Sequence, residues 1–353
     1  MMRPIETWGL KKLCLVGMLL AWLAPELRAQ QPVIEGETRK LQFQVAPASM
    51  EGNVADQIDK ALDTFKSRIL NLRAFVVGTD QVGIARLTIE EYFQKKRRAI
   101  PTIVVVAVGA LPHPKTRVAI EAVLDSGRTL NPEGIAFISG QAGSSDKPVE
   151  QMLPLAEKAL KDLNSVHRAA GIQPEDVLRV TCLMTSVADA AEVEARVKRE
   201  FPQAARSFVQ LQKAPARGVI ECESVARLRT RPAEPLQFIY TDGLPKSPNF
   251  SHAALIGAPR LLFSDLRLPK SDKEYDARKT FAELHQFLKY FGGSIKQVAM
   301  SNLYPASQEA TDLVRRIRFD FYDRDRPPAS TMMTFEGLAD NASFGLSVIA
   351  VKQ

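Results

Sequence analysis

Along this chain, stretches in which every second residue is apolar take turns with stretches in which apolar residues recur every third or fourth position. The clearest run lies between Gly134 and Ala226. GIAFISGQAG (134–143) alternates around β-branched and aromatic residues and ends in glycine, which predicts a strand. PVEQMLPLAEKALKDLNSVHRAAG (148–171) carries Leu153, Ala156, Leu160 and Leu163 at helical spacing, with Pro148 suited to the first turn and Gly171 to the stop. DVLRVTCLMTSV (176–187) predicts a strand and ADAAEVEARVKREF (188–201) a second helix. AARSFVQLQ (204–212) and GVIECESVARL (218–228) are closing strands.

The same order precedes and follows this run. After a polar lead-in at 30–40, LQFQVAPA (41–48) reads as a strand. VADQIDKALDTFKSRIL (54–70) reads as a helix capped by Asn53, with Val54, Ile58, Ala61, Leu62, Phe65 and Ile69 on one face. LRAFVVGTD is a strand, TIEEYFQKKRR a helix, and PTIVVVAVGALP and TRVAIEAVL are strands. Beyond a proline-rich joint, RTRPAEP (229–235), PNFSHAALIGAPRLLFSDLR (248–267) gives two strands. KEYDARKTFAELHQFLKYFGG (273–293) is a helix with Tyr275, Phe281, Leu284 and Leu288 inward. KQVAMSNLYPA (296–306) is a strand, QEATDLVRRIRFDFYDR (308–324) a helix, and PASTMMTFEGL (328–338) and SFGLSVIAV (343–351) close the series. A pattern that returns at a period of roughly 100 residues governs the whole fold assignment.

SGQ (139–141), the helix ending in AAG, AARSFV and the final IECESVA resemble the RidA/YjgF family of enamine/imine deaminases. Members usually carry Pro-Ala-Arg where this chain has Ala204-Ala205-Arg206, and an I-E-x-E ending where it has Ile220 to Glu223. PNFSHA resembles the family's Pro-Tyr-Ser segment, with Phe250 replacing tyrosine. The resemblance and the repeat count together imply an α+β fold of three tandem RidA-like (chorismate-mutase-like) units, each a β-sheet with two helices. The family is usually a homotrimer with ligand clefts between subunits, so three fused copies imply a monomer, an intramolecular pseudo-trimer. The units are expected at 30–126, 127–230 and 231–353, the first and last degenerate, after a signal peptide at 1–29.

The resemblance also implies the chemistry. In the family an arginine on the Pro-Ala-Arg strand holds the substrate carboxylate, a backbone amide after the Ser-Gly pair assists, and a glutamate near the end of the unit's last strand positions water. A guanidinium suits a planar carboxylate, and imine hydrolysis needs a placed water and a proton relay, which a carboxyl group supplies. No metal or organic cofactor is required. Carried over residue by residue, the middle unit matches at Ser139, Gly140, Arg206 and Glu223, while its opening tyrosine is missing from Asp125-Ser126-Gly127. In the first unit the arginine position is Ile103 and the glutamate position Glu121. In the third they are Ser330 and Ser347. One cleft of three is therefore expected to hold a small carboxylated imine, with Arg206 and Glu223 catalytic and Arg206, Ser139 and Gly140 binding substrate.

Each of these residues has a plainer reading. Arg206 is equally suited to a salt bridge between repeats with Glu221 or Glu223. Alternation places Glu221, Glu223 and Val225 on one strand face, where edge acids are often merely solvated. Ser139-Gly140 fits a strand-end turn. Three functions stay open: an imine hydrolase, a non-catalytic carboxylate binder that keeps Arg206, and a structural or partner-binding module.

Composition narrows the field modestly. The 353 residues are 45% hydrophobic and 25% charged, which suits a globular core in two or three domains. The net charge of +7 is scattered; its densest runs, KKRR (95–98) and VRRIRFDFYDRDR (314–326), lack an aromatic platform and read as solvated helix faces rather than nucleic-acid sites. Arg3, Lys11 and Lys12 precede an apolar run at 13–25 too short for an ordinary span, which predicts export to the periplasm or exterior, with cleavage after Ala29 or retention as an uncleaved anchor. Cys14 lies too early in that run for lipid attachment. Cys182 and Cys222 remain, on two strands of one unit, as a disulfide or as buried thiols. His113, His167, His252 and His285 fall in separate elements without ligand spacing, which predicts no metal site.

Overall fold

In the computed structural model, which describes residues 32–353, the alternating stretches form strands because one face of each packs against helices and the other against neighbouring sheets. The expected signal segment at 1–29, with Cys14, lies outside the described residues. Three mixed sheets result, and each is backed by two helices.

The first sheet runs β2–β5–β3–β4, from β2 (Leu41–Val45), β3 (Arg68–Val77), β4 (Thr102–Val108) and β5 (Val118–Asp125). Helices α1 (Val54–Thr64) and α2 (Val82–Lys95) cover it. The second contains β6 (Ile135–Ser145), β7 (Val177–Met184), β8 (Ala205–Gln210) and β9 (Gly218–Arg227), covered by α3 (Leu153–Ala169) and α4 (Ala190–Glu200). Its edge is extended by β10 (Leu236–Ile239) and β11 (Ala253–Ile256), giving the order β10–β11–β6–β9–β7–β8. The third contains β12 (Arg260–Ser264), β13 (Gly293–Pro305), β14 (Ala329–Met332) and β15 (Phe344–Lys352), beneath α5 (Glu274–Tyr290) and α6 (Gln308–Ile317). Its missing edge is supplied by β1 (Val33–Glu37), so the order is β1–β12–β15–β13–β14.

The sheets thus cut across the boundaries expected at 126 and 230. The two strands of 248–267 part company: β11 joins the second sheet through β6, and β12 turns into the third. The polar lead-in of 30–40 contains a strand, β1, whose partner β12 is more than two hundred residues away. Each transfer pairs an edge that would otherwise expose unpaired backbone groups.

Local signals explain most element ends. Asn53 accepts from the Asp56 backbone at 3.0 Å while Asp56 accepts from Asn53 at 2.9 Å, a reciprocal cap at the start of α1. That helix ends at Thr64, not near Leu70, because Ile69 and Leu70 are drawn into β3. Helix α3 starts at Leu153 with Pro154 in its first turn; Pro148 lies outside it. Asp189 fixes that start by accepting from the Met152 and Leu153 amides at 2.7 and 2.9 Å. On α5 the inward face is Ala277, Phe281, Leu284 and Leu288, while Tyr275 is 75% exposed. Helix α6 stops at Ile317 and continues as a 3-10 turn, 318–320.

Cys182 and Cys222 face one another across β7 and β9 and form a disulfide. His167 is buried beside Ser224 at 2.8 Å, and burial pushes its pKa down to about 4. The sheet faces turned away from the helices meet in two apolar clusters, one around Phe43, Phe137 and Phe263, the other around Phe75, Tyr304 and Phe335. Each cluster draws residues from all three sheets.

Candidate functional site

Strand registers decide which positions are equivalent. Ile103, Arg206 and Ser330 pair with Leu72, Val180 and Ser301 on parallel neighbours. Glu121, Glu223 and Ser347 pair with Arg73, Thr181 and Asn302 on antiparallel neighbours. In each sheet the first residue thus pairs one position before the second on the shared neighbouring strand. The chemistry expected of them does not gather in one place.

Glu223 lies inside, where the sheets meet. Its carboxylate accepts from Arg73 Nη2 at 2.5 Å, and the same guanidinium donates to Glu121 at 2.8 Å and Thr181 at 3.1 Å. Thr181 in turn donates to Glu121 at 2.6 Å, and Arg179 stands 3.4 Å from that carboxylate. Burial works against charge here, but Arg179 and Arg73 hold the Glu121 carboxyl below its usual range, and the two glutamates keep Arg73 protonated. Glu223 is 4% exposed and β9 is an interior strand, so it is neither a solvated edge acid nor open to substrate. The sequence signal was a lone arginine in LRAFVV and a lone glutamate in VAIEAV: opposite charges in otherwise apolar strands are usually buried together.

Ser139 is also consumed. It is fully buried; its hydroxyl donates to the Ser251 carbonyl at 2.5 Å and receives the Ser330 amide at 2.9 Å. It fastens the second sheet to the third and has no hydroxyl proton left for a ligand.

Gly140 sits where the β6–β9 ladder is interrupted, between Ile138 and Gln141. It lines a cleft of about 280 Å³ with Glu221, Ser247, Asn249, Phe250, Arg315, Arg318, Ser330 and Met332. Glu221 approaches so closely that a Cβ at position 140 would lie 1.9 Å from its Oε1, so any larger residue there would displace the Glu221 side chain. Burial, and then Glu223 nearby, push the Glu221 carboxyl up to about 8. Sequence alternation had placed Glu221 beside Glu223 on one face, and both do point away from the helices. Glu221 is the one that opens onto a cleft.

Arg206 is elsewhere. It lines a cleft of about 400 Å³ between the first and second sheets, with Val45, Ala46, Pro47, His113, Ala119 and Phe208 among its neighbours. Its Nη1 donates to the Ala204 carbonyl at 2.7 Å, and its Nε is buried without a partner. Two residues before Glu121 stands Ala119, so this cleft has alanine where the other has Glu221. Its lining carboxylate is the exposed Glu194. A third cleft, also about 280 Å³, has Arg86 committed to Glu90 and Asp265, both at 3.0 Å. The expected set is therefore split, with Gly140 in one cleft, Arg206 in another, and Glu223 and Ser139 in neither.

Residues 127–228 match the sequence profile of the family described as Endoribonuclease L-PSP, which supports the RidA/YjgF resemblance for that stretch. No curated protein sequence matches the chain. Among solved structures, a YjgF-family protein from Neisseria meningitidis is 14% identical and covers 33% of this chain and 95% of its own, with a TM-score of 0.25. RidA from an Antarctic Psychrobacter is 16% identical, covering 33% and 98%, with a TM-score of 0.25. A Rid-family protein from Yersinia pestis is 26% identical, covering 29% and 83%, with a TM-score of 0.24.

Proposed function

We propose that the chain is a pseudo-trimer of three RidA-like units and hydrolyses small imines or enamines at one cleft, that of Glu221 and Gly140. The carrying observation is the Glu221 carboxyl, which accepts no hydrogen bond among the described residues, is pushed up to about 8 by burial and by Glu223 against the opposing charge of Arg315, and faces a cavity of small-molecule size. Equivalent strand registers in all three sheets support the three-unit reading.

The reaction needs one proton carrier. Glu221 gives its proton to the imine nitrogen, making the C=N carbon electrophilic. The resulting carboxylate takes a proton from water as the water oxygen bonds to that carbon. Collapse of the carbinolamine breaks the C–N bond, ammonia leaves, and the ketone or keto acid remains. Glu223 keeps the junction beneath intact.

Export remains part of the proposal, supported by the apolar run at 13–25 and by a disulfide of the kind that persists in oxidising compartments. An RNA substrate finds less support: Arg315, Arg316, Arg324 and Arg326 each face an acid, and the cleft suits a small molecule better than a strand. The second reading, carboxylate binding without turnover, is favoured by the Arg206 cleft, where a guanidinium faces open space without the Glu221 equivalent.

Imines generated by an amino-acid oxidase and trapped with semicarbazide provide the assay. Wild type should clear them and Glu221→Gln should not, while Arg206→Met stays near wild type. Clearance unaffected by Glu221→Gln would end this reading, and loss with Arg206→Met alone would move the chemistry to the other cleft.

A further inference from the structure

We infer that Arg318 is the anion anchor of the Glu221 cleft, and that the cleft takes small ligands bearing a carboxylate. This rests on the Glu221 cleft being the working one, but it assigns a residue that the resemblance does not supply. At the strand position where an arginine was expected, this cleft has Ser330, whose hydroxyl is spent on the Ser301 carbonyl at 2.9 Å. Its short side chain leaves room, and a guanidinium from a different element lines the same space.

Arg318 is 2% exposed, the largest fully buried side chain described. Its Nη2 donates to the Asn249 carbonyl at 2.6 Å and its guanidinium carbon lies 5.5 Å from the Tyr322 ring centre. Among the described residues no carboxylate pairs with it, whereas Arg73, Arg86 and Arg229 are each bound to two. A guanidinium carries five N–H donors, and burying its charge without an acid is costly, so one kept at a cleft wall favours an anionic ligand there. Burial pushes Arg318 down to about 10, which leaves it cationic at neutral pH. Asn249 Oδ1, on the same lining, is likewise buried without a partner and suits an N–H of the ligand.

The placement follows from the inward face of α6. Ala310, Thr311, Val314 and Ile317 are buried on it, and position 318, four residues beyond Val314, continues that face at the helix C-terminus, where the helix dipole favours a cation. Glu221 from β9 and Arg318 from the end of α6 then offer a proton donor and a carboxylate partner in one cavity.

Calorimetric titration of the full chain with pyruvate and with its neutral amide tests the assignment. Wild type should prefer the acid at least tenfold; Arg318→Met should erase that preference, and Arg206→Met should leave it. A preference intact in Arg318→Met, or lost in Arg206→Met instead, overturns the anchor. Should Arg318→Met not fold, a wild-type crystal soaked in pyruvate decides: a carboxylate on the Arg318 guanidinium supports the inference, and one on Arg206, or none in the Glu221 cleft, refutes it. Pyruvate held by Arg318 in a protein without imine turnover keeps the anchor and removes the hydrolase. Equal kcat/KM for anionic and neutral imines keeps the hydrolase and removes the anchor.

Discussion

Replacing Arg73 by methionine removes the cation at the junction of the three sheets while keeping most of its volume. The side chain holds Glu121 at 2.8 Å and Glu223 at 2.5 Å from opposite sheets, and both carboxylates are essentially buried. Removing one partner of a buried ion pair costs about 3–5 kcal/mol, chiefly because a charge is left unpaired. Two carboxylates lose a partner here, but Arg179, 3.4 Å from Glu121, retains part of the compensation. The expected loss is about 4 kcal/mol, a fall of more than about 1 M in the urea midpoint at pH 7. Adding Glu223→Gln to Arg73→Met should restore part of it, with a coupling of about 1–3 kcal/mol. The sign with pH is also fixed. Glu121 has its pKa lowered in the folded protein, so its contribution is present above the unfolded value and lost as pH falls through the folded one. Wild type and variant should therefore converge in acid. A loss below about 1 kcal/mol at pH 7, or strict additivity in the double variant, would refute the idea that this network joins the sheets.

Gly140→Ala should leave the stability within about 1 kcal/mol of wild type, because Glu221 can swing away, yet reduce imine clearance at least tenfold; equal clearance would show that the placement of Glu221 against Gly140 has no catalytic meaning. Breaking the Cys182–Cys222 bond, which closes a separation of 40 residues, should lower stability by up to about 4 kcal/mol, read as the midpoint with and without reductant. His167, buried neutral with its pKa lowered to about 4, contributes stability that is full above pH 6.5 and declines as pH falls towards 4. His167→Gln should flatten that limb of the stability curve, and an unchanged limb would assign it to other groups.

Much of the backbone was legible because strand and helix periods are local properties. Ile103, Arg206 and Ser330 take like registers on their parallel neighbours for the same reason: alternation fixes which residues share a face. What failed was assembly between sheets. Alternation says that Glu221 and Glu223 point the same way, but not that Arg73 arrives from a separate sheet to occupy one and leave the other free. The transfer of β1 and β11 to other sheets was invisible for the same reason, since edge pairing depends on which strand is near in space. Tyr275 and the end of α6 were misjudged at helix termini, where periodicity has the least length to act on.

On the three-unit reading, the junction at Arg73 also argues for a single chain. In a homotrimer each axial position is repeated three times, so an arginine there would face two copies of itself, and a glutamate likewise. Here the three equivalent positions are Arg73, Thr181 and Asn302, opposite Glu121, Glu223 and Ser347. Arg73 and Arg179 balance Glu121 and Glu223, with Thr181 bridging, an arrangement with no threefold counterpart. On the same reading fusion would free each of the three clefts to differ: one has the strand arginine without the acid, one has the acid with Arg318 at a helix end, and one holds Arg86, which is paired with Asp265. Loss of the strand arginine at Ser330 is therefore compatible with a working cleft, provided that the cation returns from another element, and Arg318 is placed to return it.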